Sequence, residues 1–119
     1  MHLKHNFSTL GESFYSTTLI QPLLEQRLVE CNQTLADNLA IDFKNSETLA
    51  LLSGEQPITA SLSMVYAGHQ FGGFSPQLGD GRGVLLGEVI DQQGKLIDLH
   101  MKGAGPTPYS RRGDGRAVL

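Results

Sequence analysis

The chain has 119 residues, a formal net charge of −3, and 39% hydrophobic and 18% charged residues. This length allows one domain with a hydrophobic core, and the charge argues against broad nucleic-acid binding, which needs an excess of cations. The single cysteine excludes an internal disulfide and a thiolate zinc cluster, and no apolar run reaches the roughly 18 residues of a membrane span. Because the N-terminus resembles neither a signal peptide nor a transit peptide, we expect a cytoplasmic protein without nucleic-acid or membrane partners.

Residues 1–21 differ from the rest of the chain in their pattern of side chains. Residues 1–21 alternate between polar and aromatic side chains without a clear period, which indicates an N-terminal arm that is packed on the body or partly disordered. Pro22 marks the boundary, and we interpret residues 22–119 as the body of the domain.

Two short helices are predicted in the first half of the body. Asn32 is a typical N-cap and predicts a helix through Leu39, which buries Leu35 and Leu39 at i, i+4 spacing. Residues 27–31 are equally compatible with a strand that leads into this cap.

The second predicted helix runs from Ser46 through Leu52. Ser46 is the expected cap and Gly54 the expected stop. Both helices are expected to serve as scaffold and carry no chemistry.

Three strands are predicted after the helices. Residues 58–66 and 83–90 are apolar and rich in strand-forming types, and residues 91–94 form a turn with glycine in the position that needs positive φ. Residues 95–102 alternate, which places every second side chain on the same face of an antiparallel strand. Lys102 is expected at the end of that strand, on its more polar face with Asp98 and His100.

Glycine is concentrated in the second half of the chain. Residues 66–116 contain twelve of the fourteen glycines, and residues 79–82 and 113–116 both read Gly-Asp-Gly-Arg. A Walker loop is absent, and Gly79-x-Gly81-x-Gly83 precedes a strand rather than the helix of a dinucleotide fold. The sequence instead has the order of parts found in the small lobe of a protein kinase, which is a glycine loop, a strand, a turn and a strand that carries a lysine.

Simpler interpretations of these residues remain open on spacing alone. The first Gly-Asp-Gly-Arg is equally typical of a tight turn in which Asp80 bonds nearby backbone and pairs with Arg82. Lys102 is compatible with a solvated strand end, and Asp114-Gly115 with a turn that caps a helix. We interpret His69 as a structural histidine bonded within a turn, because it has no partner at metal-ligand or triad spacing.

Several motifs, in this order, closely resemble the selenoprotein O (SelO) family, whose bacterial members are often called YdiU. The motifs are residues 66–72 (YAGHQFG), 78–82 (LGDGR), 86–88 (LGE), 102–111 (KGAGPTPYSR) and 113–117 (GDGRA). The resemblance is dense over residues 57–119 and looser over residues 22–54.

The resemblance implies a protein-kinase-like fold that transfers AMP from ATP to Ser, Thr or Tyr hydroxyls of protein substrates, with the nucleotide inverted relative to ordinary kinases. It also implies six ATP-binding residues: Gly79, Gly81 and Arg82 in the glycine loop, Lys102 as the lysine that holds phosphate, and Asp114 and Gly115 completing the site.

The fold class we expect is therefore α+β, a kinase-like small lobe of antiparallel strands with short helices, truncated before the large lobe. The catalytic aspartate and the ligands of Mg²⁺, with Mn²⁺ as an alternative, are expected beyond Leu119, so these 119 residues alone are expected to be inactive. A non-catalytic nucleotide-binding module and a conventional phosphotransferase are the alternatives.

Overall fold

The computed structural model describes residues 1–118 and has an α+β architecture. A 3-10 helix at Phe7–Leu10 comes first. The further elements, in chain order, are β1 (Tyr15–Thr17), α1 (Gln33–Asn38), α2 (Ser46–Ser53), β2 (Leu62–Met64), β3 (Gly68–Gln70), β4 (Gly73–Ser75), β5 (Gly83–Ile90) and β6 (Leu96–Lys102). The predicted combination of antiparallel strands and short helices is confirmed. Within residues 1–118, no helix has the length and apolar character needed to cross a bilayer.

Four strands form the main sheet, in the order β1-β2-β5-β6, and every neighbouring pair is antiparallel. β3 and β4 form a separate two-stranded hairpin. The β5–β6 hairpin agrees with its prediction, and Gly94 in its turn has a φ of +80°. Lys102 is the exposed last residue of β6, opposite Gly83.

A β-bulge interrupts the β5–β6 ladder. Leu85 pairs with His100 and Gly87 pairs with Leu99, so one extra residue, Leu86, is inserted on the β5 side. Gly87 has a φ of +145°, and a Cβ there would lie 2.7 Å from the carbonyl oxygen of Lys4. Glycine at this position therefore lets the N-terminal arm pack directly on the strand.

One face of β5 and β6 carries the hydrophobic core. One cluster joins Val89 to residues of α1 and the segment after it, and the second contains Val84, Leu86 and Ala104. Leu99 packs against both clusters, which makes the core continuous along the hairpin. On the opposite face of β6, His100 and Lys102 line a cavity together with the glycine-rich residues 79–83.

The helices differ from the prediction in two details. Asn32 caps α1 as predicted, but Ala36 and Leu39 are the buried positions and Leu35 is 50% exposed. The helix is only six residues long, so its buried stripe is narrow and Leu35 falls outside it.

The cap of α2 also differs. Asn45, rather than Ser46, is the N-cap, and its side chain accepts hydrogen bonds from the N–H groups of Glu47 and Thr48. Gly54 ends this helix in the left-handed conformation, as predicted.

The strand predicted over residues 58–66 is shorter in the structure. Residues 58–61 form a turn, in which Ser61 donates to the carbonyl oxygen of Ile58 from both its N–H and its hydroxyl, and β2 is limited to Leu62–Met64. Residues 27–31 contain no strand.

The N-terminal segment contributes to the sheet. β1 lies at the edge of the sheet beside β2, and Lys4 forms an isolated antiparallel bridge with Glu88. The carboxylate of Glu88 is 3% exposed and accepts from the N–H groups of Asn6 and Phe7 at 2.9 and 3.0 Å. A buried acidic side chain therefore anchors the start of the 3-10 helix.

Candidate functional site

The first Gly-Asp-Gly-Arg sequence, residues 79–82, forms a tight bend before β5 that we call the glycine turn. The N–H of Asp80 donates to the carbonyl oxygen of Met64 at 2.8 Å, and the N–H of Leu78 donates to that of Tyr66 at 2.7 Å. These two bonds hold the glycine turn against the end of β2. Gly79 has a φ of +82°, which favours glycine over any other residue.

A second loop packs on the glycine turn from the other side. Residues 103–110 contain two glycines and two prolines and form neither helix nor strand, as predicted; we call them the Gly-Pro loop. The hydroxyl of Thr107 donates to the carbonyl oxygen of Asp80 at 2.6 Å. The hydroxyl of Ser110 donates to the carbonyl oxygen of Gly81, also at 2.6 Å. These two hydrogen bonds therefore attach the glycine turn to the Gly-Pro loop.

Tyr109 of the Gly-Pro loop explains why the turn needs glycine. A Cβ on Gly79 would lie 2.7 Å from Cγ of Tyr109, and one on Gly81 would lie 3.0 Å from the carbonyl oxygen of Tyr109. The Tyr109 hydroxyl also forms a 2.9 Å hydrogen bond with the hydroxyl of Ser16 on β1. The two loops thus meet at a distance that only bare backbone allows.

Asp80 is the buried centre of this arrangement, with 8% exposure. Its carboxylate accepts from the Met64 N–H at 2.9 Å and from the Tyr66 hydroxyl at 3.1 Å, and lies 3.3 Å from Nε2 of His100. The predicted alternative, an ion pair between Asp80 and Arg82, is wrong. Among residues 1–118 the ion pair of Asp80 is with His100, because β6 places the imidazole directly beside the turn.

The contacts of Asp80 with His100 and Tyr66 affect the pKa values of all three side chains. The hydrogen bond to Asp80 raises the pKa of His100, outweighing burial, which lowers it. Burial alone would raise the pKa of Asp80, but the bonds from His100, the Met64 N–H and Tyr66 hold it below its usual value. Burial, with the negative charge of Asp80, raises the pKa of Tyr66. Asp80 and His100 are therefore stabilised as an ion pair.

The six predicted site residues surround two adjoining cavities. The first, of about 470 Å³, is lined by Gly79, Gly81, Arg82, Asp114 and Gly115. The second, of about 530 Å³, is lined by Gly79, Gly81, Arg82 and Lys102, together with Asp80 and His100. The glycine turn forms the wall that the two cavities share. The structure thus brings all six residues together.

Cations predominate around these cavities. Arg111 and Arg116 line the first cavity beside Arg82, and Lys102 lines the second. The Arg116 guanidinium donates to the carbonyl oxygen of Gln21 at 2.7 Å. Within residues 1–118, none of these four cations lies within 4.0 Å of a carboxylate oxygen, so their charge is available to an anionic ligand.

The second Gly-Asp-Gly-Arg sequence has a different structure from the first. Asp114 is exposed and its carboxylate accepts from the Arg116 N–H at 2.9 Å, and Gly115 packs its backbone on Gly105 and Pro106. The capping turn that the sequence allowed at Asp114-Gly115 is not followed by a helix over residues 114–118, because Asp114 closes a local turn and Gly115 has a φ of +69°. Leu119 lies outside the described residues.

Sequence reasoning missed the pairing of Asp80 with His100 and the role of the Gly-Pro loop. The alternation of β6 already placed His100 on the same face as Lys102, and this was the available signal. His69 is exposed on β3, not in the turn that we predicted for it, because residues 68–75 form the unpredicted β3–β4 hairpin.

Metal ligands are not gathered at this site. Within residues 1–118, no group of three or more His, Cys, Asp or Glu side chains lies in a position to hold a metal ion. The residues that line the cavities suit a phosphate-bearing molecule, since they combine fixed cations with closely approachable glycine backbone.

Comparison with known proteins gives a consistent result. A family model described as "Protein adenylyltransferase SelO" matches residues 1–119. The chain is 72% identical over its whole length to a protein of Marinomonas sp. (strain MWYL1), 49% identical over 97% of its length to one of Rhizobium rhizogenes, and 49% identical over its whole length to one of Vibrio cholerae. Each of these relatives is named "Protein nucleotidyltransferase YdiU".

The chain covers 25%, 24% and 25% of these three relatives, so it spans about a quarter of their length. The match to the family model nevertheless extends over every residue of the chain. The glycine turn, the lysine at the end of β6 and the arginine-lined cavities are therefore features of a chain that belongs to the protein adenylyltransferase SelO family.

Proposed function

We propose that the chain supplies part of the ATP-binding site of a protein adenylyltransferase, within a kinase-like small lobe formed by residues 22–119 behind the arm of residues 1–21. The enzyme transfers AMP from ATP to Ser, Thr or Tyr hydroxyls of protein substrates. The observation that carries this proposal is the convergence of the glycine turn, Lys102 and three arginines on two adjoining cavities.

In the proposed site, each group has a physical task. Gly79 and Gly81 present backbone to both cavities, and Arg82 and Lys102, which both line the second cavity, neutralise the charge of a phosphate there. Asp114 and Gly115 close the first cavity, where Arg111 and Arg116 add further positive charge. Fixed cations of this kind stabilise the charge that develops on phosphate oxygens during transfer.

The proposed reaction forms a bond between the substrate hydroxyl oxygen and the α-phosphorus of ATP and breaks the bond from that phosphorus to the bridging oxygen, releasing pyrophosphate. We assign neither the base that accepts the hydroxyl proton nor the ligands of Mg²⁺ or Mn²⁺ to residues 1–118, which contain no suitable metal cluster. We therefore propose that the 119 residues bind nucleotide but do not complete the transfer alone. We also propose that they act in the cytoplasm.

The test uses a chimera in which this chain replaces the matching quarter of the Marinomonas relative, to which it is 72% identical. We expect a protein substrate to acquire label from ATP labelled at the α-phosphate and none from ATP labelled at the γ-phosphate. Lys102→Ala should lower the α-label by roughly 100-fold or more, because a fixed charge at the phosphate is lost. Lys95→Ala, at an exposed position immediately before β6, is the matched control and should label normally.

The outcomes separate the alternatives. Label from the γ-phosphate would show a conventional phosphotransferase, and ATP binding without labelling of any target would show a nucleotide-binding module. Undiminished labelling by Lys102→Ala would overturn the role of Lys102.

A further inference from the structure

One side chain connects the two halves of the proposed site. Asp80 lies between Gly79 and Gly81, yet its carboxylate is bound by Met64 at the end of β2 and by His100 on β6. His100 is two residues before Lys102 and on the same face of the strand. A single buried carboxylate thus joins the glycine turn to the strand that carries the lysine.

We propose that Asp80, held by His100, is a positioning residue that fixes the glycine turn relative to Lys102 for nucleotide binding. The inference rests on the proposed ATP site and extends it, because neither Asp80 nor His100 is assigned a contact with ATP. It makes the affinity for ATP depend on a pair of side chains that line the second cavity and hold its wall in place.

The backbone around Asp80 supports this role. Asp80 and Met64 exchange two hydrogen bonds, from the Asp80 N–H to the Met64 carbonyl and from the Met64 N–H to the Asp80 carboxylate. The carbonyl of Asp80 accepts from Thr107, so three parts of the chain are fixed through one residue. Loss of the carboxylate would leave the Met64 N–H and the Tyr66 hydroxyl without their acceptor.

Gly83 makes room for the histidine. A Cβ at Gly83 would lie 2.9 Å from Nε2 of His100 and 3.3 Å from Cβ of Asp80. Because Gly83 pairs with Lys102 in the β5–β6 ladder, the gap that admits the imidazole is next to the lysine. The ion pair and the proposed phosphate contact therefore share one short stretch of sheet.

The charge of His100 depends on all the groups around it. Asp80 and Tyr66 face it from the glycine turn and the end of β2, Arg82 lies on the rim of the shared cavity, and Asp98 and Lys102 flank it on β6. The hydrogen bond to Asp80 is the largest influence and raises the pKa of His100. The opposing effect of Lys102 is the smallest of those that act on the histidine.

The pH dependence follows from the directions of the two pKa shifts. The pair is fully charged above the lowered pKa of Asp80 and below the raised pKa of His100. As the pH rises through the pKa of His100, the imidazolium becomes neutral and the bond to Asp80 loses its charge assistance. We therefore expect ATP affinity to fall as the pH rises through this range.

The experiment measures the Kd of ATP by titration calorimetry from pH 5.5 to 8.5, with the 119-residue chain and its variants. Asp80→Asn should weaken binding by roughly tenfold at pH 6, because the charged hydrogen-bond acceptor is lost. His100→Gln keeps a neutral donor, so its Kd should resemble that of the wild type at high pH and exceed it at low pH. The ionisation of ATP itself affects both proteins equally. Dividing the Kd of His100→Gln by the Kd of the wild type at each pH therefore removes its contribution.

Asp98→Asn is the matched control, since it removes a carboxylate from the same face of β6 and should leave the Kd unchanged at pH 6, where the pair of Asp80 and His100 stays charged. If Asp80→Asn fails to fold, as judged by its circular dichroism and melting temperature, His100→Gln decides the question. Wild-type Kd and pH slope in His100→Gln would overturn the positioning role while leaving the ATP site intact. A wild-type chain and chimera that bind no ATP would overturn both proposals.

Discussion

Gly79 shows how tightly the proposed site is packed at the scale of one residue. It has a φ of +82°, and a Cβ there would lie 2.7 Å from the ring of Tyr109 and 2.9 Å from the carbonyl oxygen of Met64. We expect Gly79→Ala to destabilise the fold by about 2–4 kcal/mol, because backbone strain and overpacking add together. Urea denaturation followed by circular dichroism would measure this change.

Gly94→Ala is the matched control. Gly94 has nearly the same φ, +80°, but a Cβ there would meet nothing within 4 Å. Its substitution should cost about 1 kcal/mol from backbone strain alone. Equal losses in the two variants would show that contact with Tyr109 does not constrain the glycine turn.

The sequence indicated the six candidate residues but not the ion pair behind them. Glycine spacing and strand alternation are local patterns that made Gly79, Gly81 and Lys102 candidates, and the resemblance to the SelO family implied the roles of all six. The partner of Asp80 is twenty positions away and depends on where the β5–β6 register places His100. Arg82, its near neighbour in sequence, was the wrong choice for that reason.

At the scale of elements, α2 offers a direct comparison of two capping residues. Asn45 accepts hydrogen bonds from the N–H groups of Glu47 and Thr48, and Ser46 is already the first helical residue. Asn45→Ala should destabilise the protein by about 1 kcal/mol, since two N–H groups of the first turn lose their acceptor. The measurement is the midpoint of urea unfolding at constant m-value.

Ser46→Ala serves as the comparison, and we expect its effect to be within about 0.5 kcal/mol. If Ser46→Ala lost more stability than Asn45→Ala, then Ser46 would be the N-cap, as inferred from the sequence. The prediction error itself is one residue, because Asn and Ser are both favourable caps and stand side by side.

Elements with strong local signals were predicted, and those that depend on tertiary context were not. The β5–β6 hairpin has an apolar strand, a glycine turn position and an alternating strand, all visible in the sequence. The β3–β4 hairpin turns at Phe71 and Gly72, with φ values of +51° and +76°, and Phe rarely occupies such a position. β1 has only three residues and exists because β2 is there to pair with it.

At the scale of the whole molecule, Glu88 ties the N-terminal segment to the centre of the sheet. We expect Glu88→Gln to lower the free energy of unfolding by about 1–3 kcal/mol, because a buried charged acceptor of two N–H bonds is lost. Hydrogen exchange of the Asn6 and Phe7 amides should accelerate more than that of β5. Both changes are measurable by NMR and denaturation.

Glu12→Gln, an exposed position in the same N-terminal segment, should change neither quantity. If the Asn6 and Phe7 amides exchange as slowly in Glu88→Gln as in the wild type, then the N-terminal segment is held by other contacts. The isolated bridge between Lys4 and Glu88, which uses backbone atoms only, would then be the leading candidate.

The bulge in β5 also determines which side chains the strand can carry. Strict alternation from Val84 and Leu86 would turn Glu88 toward the hydrophobic core and Val89 away from it. The extra residue reverses this phase, so Val89 packs in the core and Glu88 reaches the N-terminal segment. Deleting a single residue at the bulge would exchange the environments of an acid and a valine, so chain length here is as constrained as residue identity.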